Sequence, residues 1–259
     1  MRISHEYISE ATVYSIIRNI HLPGSITSRS VLNRIFRRNR ALNRAEKEAD
    51  MPYILRVDAS SRHTESHSRQ IADQIERALL ASNSELSVRR CDLAAEPIPH
   101  IADETITGFY SPPEALTEDL RKATALSDAL ISDLKGAQAL IISSPMYNFG
   151  VPSALKAWVD HIVRINATFA FDGTSFEGLV RVPRAYLALA YGAGGYADGG
   201  PFSAMDFLES YLASLMGFIG IEETQVFRLE GTTGDAVSLN SAARALSAQI
   251  ESELSRGAA

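Results

Sequence analysis

Residues 60–68 combine serine hydroxyls with the start of a predicted helix, in the order Ser-Ser-Arg-His-Thr-Glu-Ser-His-Ser. A helix N-terminus offers unpaired backbone N–H groups and the positive end of the helix dipole, and both attract a phosphate. The hydroxyls of Ser60, Ser66 and Ser68 would add donors without bulk. A serine N-cap that only starts the helix explains the same residues, and this stretch alone favours that simpler interpretation. A nucleotide triphosphatase is not indicated, because the sequence has no G-x-x-x-x-G-K-[ST] motif.

Residues 144–152 place two aromatic rings and an amide between two prolines, in the order Ser-Pro-Met-Tyr-Asn-Phe-Gly-Val-Pro. A planar aromatic ligand is bound by flat apolar walls and a few fixed polar groups. Backbone N–H groups in a turn stiffened by Pro145 and Pro152 can contact the heteroatoms of such a ring. Aromatic side chains in a loop are harder to explain as core residues than those at helical spacing. This stretch therefore favours a ligand site.

Residues 192–196 read Gly-Ala-Gly-Gly-Tyr and allow a ligand to approach the backbone closely. Residues 192–197 also match G-x-G-x-x-A, but Asp198, two glycines and Pro201 separate them from the next predicted helix. A dinucleotide fingerprint opens a helix directly, so it is not predicted here. Glycines packed against the edge of a ring and a flexible surface turn both remain open interpretations.

Other catalytic patterns are absent. Residues 173–177 miss the G-x-S-x-G pattern because Glu177 is in its last position, and His5-Glu6 is followed by Ser9 where H-E-x-x-H needs histidine. The single cysteine, Cys91, lies in a predicted strand and excludes an internal disulfide or a multi-cysteine metal site. His161 is expected on a helix surface, beside a solvated or interface face. No metal ligand and no catalytic side chain is predicted.

The hydrophobic pattern predicts five strands that alternate with five helices. The strands are expected at residues 53–59, 86–91, 139–143, 186–191 and 225–229. One helix is expected at residues 117–134, with Thr117 as its N-cap and Gly136 just past its end. Another helix is expected at residues 204–218, and the proline-punctuated stretch 97–113 is expected to be a long loop.

This alternation predicts an α/β fold with a doubly wound, five-stranded parallel sheet. Ligands of such sheets bind beyond the carboxyl ends of the strands, near the point where the strand order reverses. The serine, aromatic and glycine stretches follow the first, third and fourth predicted strands. We therefore expect all three at one edge of the sheet.

The composition changes near Met51. Residues 11–45 contain seven arginines and no acidic residue, and four apolar residues predict a short amphipathic helix: Val31, Leu32, Ile35 and Phe36. A transit peptide and a basic membrane-surface helix have such features. A solvated extension, disordered or upstream of a natural start at Met51, is the simpler interpretation. We expect residues 1–50 to form a basic extension and residues 51–259 to form the folded domain.

The overall composition is that of a globular protein, with 46% hydrophobic and 22% charged residues. A formal net charge of -6 argues against nucleic acid as a partner. No apolar run reaches the roughly 18 residues that suggest a membrane-spanning helix. The lack of disulfides is compatible with a cytoplasmic location, which we expect.

From about residue 51 to its end, the chain resembles the FMN-dependent NADH-azoreductase family, also called FMN-dependent NADH:quinone oxidoreductases. The strongest likeness is in residues 145–149, and the helix that follows also matches. The further matching residues are Pro152, Leu155, Lys156, Trp158, Asp160, Arg164, Thr168, Phe169 and residues 92–93, 97–99, 177–179 and 217–220.

The resemblance implies a flavodoxin-like homodimer that holds FMN near the dimer interface and carries electrons from NADH to quinones or azo compounds. The implied contacts to the FMN phosphate are Ser60, Ser66, His67 and Ser68. Those to the isoalloxazine ring are Met146, Tyr147, Asn148 and Phe149, with Gly192, Ala193, Gly194 and Gly195 at its other edge. Phe169 and Phe171 are implied on the substrate side. Hydride transfer belongs to the flavin, so no side chain is assigned to it.

Some residues depart from the family pattern. His67 replaces an uncharged polar residue, Glu65 puts a negative charge near the expected phosphate, and Asn166 and Phe171 replace a glycine and a tyrosine. The pair at residues 192–193 replaces one that contains serine. Two other functions stay open: an FMN-binding electron carrier without NADH turnover, and an acyl-carrier-protein phosphodiesterase, which would need a metal site or an activated nucleophile.

Overall fold

The computed structural model describes residues 51–197 and 199–256. The expected extension at residues 1–50, with its apolar stripe, lies outside the described residues. The described part contains seven strands, six α-helices and two short 3₁₀ turns, at Pro113–Ala115 and Ser203–Met205. The strands are β1 Tyr53–Asp58, β2 Ser87–Asp92, β3 Ala139–Pro145, β4 Phe169–Phe171, β5 Phe176–Gly178, β6 Arg184–Ala190 and β7 Glu223–Leu229. The helices are α1 His67–Ser82, α2 Asp103–Tyr110, α3 Glu118–Lys135, α4 Ser153–Ile162, α5 Glu209–Ile219 and α6 Ala236–Arg256.

Five of the strands form one parallel sheet in the order β2-β1-β3-β6-β7. The chain moves outward from β1 to β2 and then returns to the other side of β1 to form β3, so the strand order reverses between β1 and β3. In the register, Val57 of β1 lies opposite Cys91 of β2 and Ile142 of β3. The doubly wound parallel sheet expected from the sequence is confirmed.

Helices cover both faces of this sheet. On one face, Leu55 and Val57 of β1 belong to a core that includes Leu134 of α3 and the fully buried Trp158 of α4. On the other face, Ile54 packs with residues of α1 and α6. A strand buried on both faces needs apolar side chains at successive positions, which explains the unbroken apolar run at residues 139–142.

The structure corrects three details of the sequence interpretation. The stretch expected to be a long loop contains α2, which packs so closely on α3 that a Cβ on Gly108 would lie 2.5 Å from Thr124 Cγ2. Tertiary packing therefore stabilises a helix too short to give a clear periodic pattern. The antiparallel β4–β5 hairpin was not expected. Helix α5 starts at Glu209 rather than near residue 204, because Asp206 Oδ1 accepts the N–H groups of Leu208 and Glu209.

The β4–β5 hairpin contacts the end of α5 through two glycines. Gly220 ends the helix with φ 104°, a conformation that side chains disfavour. An ideal Cβ on Gly178 would lie 2.2 Å from the backbone nitrogen of Gly220. Neither backbone can move aside cheaply, so the hairpin needs glycine at position 178.

We expect Gly178→Ala to lower the melting temperature and to release the hairpin from α5, because the new methyl group would overlap backbone atoms. Gly217→Ala is the matched control, since a Cβ there meets nothing within 4 Å and alanine favours a helix. Its melting temperature should stay level or rise. Thermal unfolding followed by circular dichroism measures both variants, and equal melting temperatures would contradict the close approach.

Candidate functional site

The carboxyl ends of β1, β3 and β6 bring the three sequence stretches together around a cleft of about 270 Å³. Seven of the predicted site residues line it, namely Ser60, Ser66, His67, Ser68, Met146, Tyr147 and Gly192. The other lining residues are Arg62, Glu65, Pro145, Ala190, Thr232 and Thr233. The cleft lies where the strand order reverses, as the sequence interpretation expected for a ligand site.

The serine end of the cleft is formed by the N-terminus of α1. Ser66 is the N-cap, and its Oγ accepts the N–H of Arg69 at 3.5 Å. Ser66, His67 and Ser68 have backbone N–H groups without a hydrogen-bond partner in the described part of the chain. The buried hydroxyls of Ser66 and Ser68 lie 3.3 Å apart. The N-cap interpretation is confirmed, and it coexists with a cluster of donors at the cleft.

A partly buried arginine, Arg69, supports this end of the cleft from behind. Arg69 donates from Nη2 to the carbonyl oxygen of Ser60 at 2.9 Å, and from both terminal nitrogens to the carboxylate of Asp92 at 2.7 Å. The hydrogen bonds from Arg69 lower the pKa of Asp92 to about 2. Glu65, which the sequence left as a possible repulsive charge, is solvent-exposed and has a φ of 57°.

The aromatic end is a two-residue hairpin turn. Tyr147 and Gly150 exchange two backbone hydrogen bonds of 3.1 Å, and the residues between them, Asn148 and Phe149, have φ values of 48° and 70°. Two successive positive φ values are typical of a type I′ turn. The N–H groups of Asn148 and Phe149 have no partner among the described residues. Tyr147 Oη lies 2.8 Å from Ser61 Oγ, which joins this turn to the serine stretch.

The glycine stretch contributes less to the cleft than the sequence suggested. Gly192 lines it, but Ala193, Gly194 and Gly195 do not. The N–H of Gly195 is already donated to Glu230 Oε2 at 2.7 Å, and its carbonyl oxygen accepts the N–H of Phe202. Within this stretch, the N–H groups of residues 192–194 have no partner among the described residues.

Three residues after β7 were missed by the sequence interpretation. Thr232 and Thr233 line the cleft, and their hydroxyls donate to the carbonyl oxygens of Tyr191 and Gly192. Glu230 braces the glycine stretch, and its Oε1 is buried with no partner among the described atoms. The loop after β7 begins at the same edge of the sheet as the other three loops. The rule that ligands bind beyond the carboxyl ends of the strands therefore applies to it as well.

A larger groove of about 1000 Å³ adjoins the cleft, because Tyr147 lines both. Its walls come from the turn at Asn148, the start of α4 and one side of α5. Lys156 in this groove donates to Asp160, and this hydrogen bond raises the pKa of Lys156. Burial raises the pKa of Tyr211 across the groove.

Phe169 and Phe171 line neither cavity. They lie in the β4–β5 hairpin, where the ring centroid of Phe169 is 4.9 Å from that of Phe218 and the centroid of Phe171 is 4.6 Å from that of Phe176. Phe171 and Phe176 are 46% and 60% exposed. The single chain therefore does not bring the two predicted substrate-side residues to the cleft.

The expectation for His161 was wrong. Its side chain is buried, with 3% of the residue exposed, and Nε2 lies 3.0 Å from the carbonyl oxygen of Pro99. The α4 surface that carries it is covered by the segment at residues 97–100, which the sequence pattern did not reveal. Cys91 lies in β2 as expected, and burial raises the pKa of its thiol to about 11. It is therefore a protonated structural residue near neutral pH.

The described residues lack two kinds of feature. None of the helices described between residues 51 and 256 is long and apolar enough to cross a bilayer. Within the same described ranges, no group of three or more His, Cys, Asp or Glu side chains is arranged to hold a metal ion.

Comparison with solved structures shows the same fold. A family model described as flavodoxin-like fold matches residues 53–254. An FMN-dependent NADH-azoreductase from Bacillus anthracis str. Ames Ancestor, solved in complex with FMN, superposes with a TM-score of 0.70. It covers 81% of this chain and 100% of its own, at 23% identity. At that identity the likeness concerns the fold alone.

Two relatives found by sequence are more similar to this chain in sequence than that structure is. An FMN-dependent NADH:quinone oxidoreductase from Xanthobacter autotrophicus is 49% identical over 176 residues, which are 68% of this chain and 85% of the relative. Another with the same name, from Hydrogenovibrio crunogenus, is 37% identical over 190 residues, 73% of this chain and 93% of its own. The chain belongs to the FMN-dependent NADH:quinone oxidoreductase family, within the flavodoxin-like fold.

Proposed function

We propose that this chain binds FMN in the cleft between the loops after β1 and β3 and carries electrons from NADH to quinones and aromatic azo compounds. The observation that carries the proposal is the arrangement of that cleft. Unpaired backbone donors at a helix N-terminus lie at one end, and Tyr147 lines the other, as the first residue of a turn whose next two residues have unpaired N–H groups. FMN has a phosphate at one end and a planar ring with polar edges at the other.

The serine end fits the FMN phosphate. Three backbone N–H groups at residues 66–68 and the hydroxyls of Ser60, Ser66 and Ser68 supply neutral donors, and the dipole of α1 adds a favourable field. His67 adds a group that can carry positive charge. Glu65 also lines the cleft, but it is exposed to solvent, which screens its charge. The residues present therefore suit a dianionic phosphate.

The aromatic end fits the isoalloxazine ring. Met146 and Tyr147 supply an apolar wall. The positive φ values of Asn148 and Phe149 direct their N–H groups away from the hydrogen bonds between Tyr147 and Gly150. When bound, FMN supplies the chemistry of accepting a hydride and passing on two electrons. The protein holds the ring, excludes water from one of its faces, and stabilises negative charge at its edge with fixed N–H dipoles.

We propose that NADH and the acceptor use the same open face of the ring in turn. An azo bond takes four electrons, so two molecules of NADH and two protons reduce one azo compound to two amines. We further propose that the protein acts as a homodimer. The exposed rings of Phe171 and Phe176 and the larger groove beside Tyr147 are surfaces that a second copy could cover, which would bring the hairpin to the substrate side.

Steady-state kinetics test the order of events. With FMN-loaded protein, double-reciprocal plots at several quinone concentrations should give parallel lines, because NADH must transfer its hydride and leave as NAD⁺ before the acceptor binds. Intersecting lines would indicate a ternary complex and contradict a shared face. An FMN-binding electron carrier without NADH turnover would show no NADH-dependent quinone reduction at all.

The phosphate end is tested by Ser66→Asp and Ser66→Ala. Aspartate is as good an N-cap as serine, so Ser66→Asp should fold normally. It should weaken FMN binding severely, because a carboxylate then opposes the phosphate. Ser66→Ala should cost about 1.5–3 kcal/mol of FMN binding through the lost hydrogen bond to a charged group. Both variants should bind riboflavin, which has no phosphate, as the wild type does.

Titration of flavin fluorescence measures these affinities. Thr117→Asp is the matched control, because Thr117 is the N-cap of α3 and does not line the cleft. It should leave both affinities unchanged. If Ser66→Asp weakened riboflavin as much as FMN, the serine stretch would not be a phosphate site, and its N-cap role would suffice.

We propose that residues 51–259 are sufficient for this activity, because the cleft residues all lie after Met51. A variant that starts at Met51 should bind FMN and reduce quinone at nearly the rate of the full chain. Size-exclusion chromatography, FMN titration and initial rates measure this. Insoluble protein or lost FMN binding would show that residues 1–50 are part of the folded unit.

A further inference from the structure

Arg69 connects the cleft to a network of charges centred on the buried Arg56 and Asp58. Behind the cleft, Asp58 is 2% exposed, and its Oδ2 lies 3.0 Å from Arg56 Nε and 3.7 Å from Arg69 Nη1. Arg56 is also buried and reaches Asp73 and Glu76 on α1. Asp92 at the end of β2 is held by both terminal nitrogens of Arg69. The network thus joins β1, β2 and α1 directly behind the serine stretch.

The charges in this network matter for an anion in the cleft. Asp58 lies two residues before Ser60. The Asp92 carboxylate and the Ser60 carbonyl oxygen both accept hydrogen bonds from Arg69. Without a nearby cation, the buried Asp58 and the half-buried Asp92 would repel a phosphate in the cleft. Arg69 lies against both of them and is largely withdrawn from solvent, with 13% of its side chain exposed. Its positive charge therefore neutralises these carboxylates and is not directed into the cleft.

The geometry of Arg69 also holds the backbone of the serine stretch. Its hydrogen bond to the Ser60 carbonyl oxygen joins the first turn of α1 to the start of the loop after β1. The Nε–H of Arg69 is buried with no partner among the described residues. An unsatisfied buried donor destabilises a folded protein, so the other contacts of the guanidinium must outweigh this cost to keep it in place.

We propose that Arg69 is a positioning residue that sets the preference of the cleft for a phosphorylated flavin, by fixing the Ser60 carbonyl oxygen and neutralising Asp58 and Asp92. The proposal rests on the proposed FMN site. Lysine cannot replace it, because one ammonium group cannot hold a carboxylate at two points and a carbonyl oxygen at a third in the same fork geometry. The residue acts on the ligand through the loop and not by contact.

The test is the ratio of the riboflavin dissociation constant to the FMN dissociation constant, measured by fluorescence titration of the flavin-free full chain. Arg69→Lys keeps the positive charge but loses the planar guanidinium that donates to two partners at once. We expect the ratio of the riboflavin to the FMN dissociation constant to fall roughly tenfold, as for loss of one hydrogen bond to a charged group. Riboflavin affinity should change little. Arg184→Lys is the control, because Arg184 forms a similar pair with Glu223 at the opposite end of the sheet. Its ratio should match that of the wild type.

Asp92→Asn is the second variant and separates the two roles of the network. Asparagine can still accept one hydrogen bond from Arg69, the Ser60 contact is retained, and one negative charge is removed. The ratio should therefore stay level or rise, even if Arg69→Lys proves too unstable to measure. Equal weakening of FMN and riboflavin in Arg69→Lys, or a fall of the ratio in Asp92→Asn, would overturn the proposal. A wild type that binds FMN no better than riboflavin would instead contradict the proposed phosphate site itself.

Discussion

The pairing of β1 with β3 decides where a ligand can bind. These two strands are neighbours in the sheet but are separated in the chain by α1, β2, α2 and α3, and their connections leave on opposite sides. The loops that follow them therefore diverge and leave a cleft, which α1 and the turn at Tyr147 close at either end. The contact between Ser61 and Tyr147 shows how close these two loops remain. The site depends on this one reversal of strand order.

Both ends of the cleft offer unpaired backbone N–H groups, although Arg62 and Glu65 also line it. Donors at the start of α1 are free because a helix cannot satisfy its first N–H groups. Donors at Asn148 and Phe149 are free because a type I′ turn directs them outward. A further set of charged groups lies one layer behind, where Arg56 pairs with the buried Asp58 and Arg69 pairs with the half-buried Asp92. Neutral donors in the cleft and paired charges behind it suit a ligand that carries its own negative charge.

Sequence patterns predicted the parallel sheet and three of the loops at its edge, because strand periodicity and loop composition are local signals. The family resemblance implied the seven predicted residues that line the cleft. They did not predict α2 or the hairpin, which are stabilised by close packing of Gly108 on Thr124 and of Gly178 on Gly220. His161 was misplaced for a related reason, since the segment that buries it is distant in sequence. No sequence motif marks Glu230 or Arg69. Glu230 braces the glycine stretch because the fold places the end of β7 beside it. Arg69 can contact both Ser60 and Asp92 because β1 and β2 are neighbours in the sheet.

The most direct test of the site is a crystal structure of the full chain with FMN. The account predicts the phosphate within hydrogen-bond distance of the N–H groups of residues 66–68 and the ring against Met146 and Tyr147. The N–H of Gly195 should still be bonded to Glu230. FMN found instead in the larger groove beside Lys156, with the cleft at the N-terminus of α1 left to solvent, would contradict it.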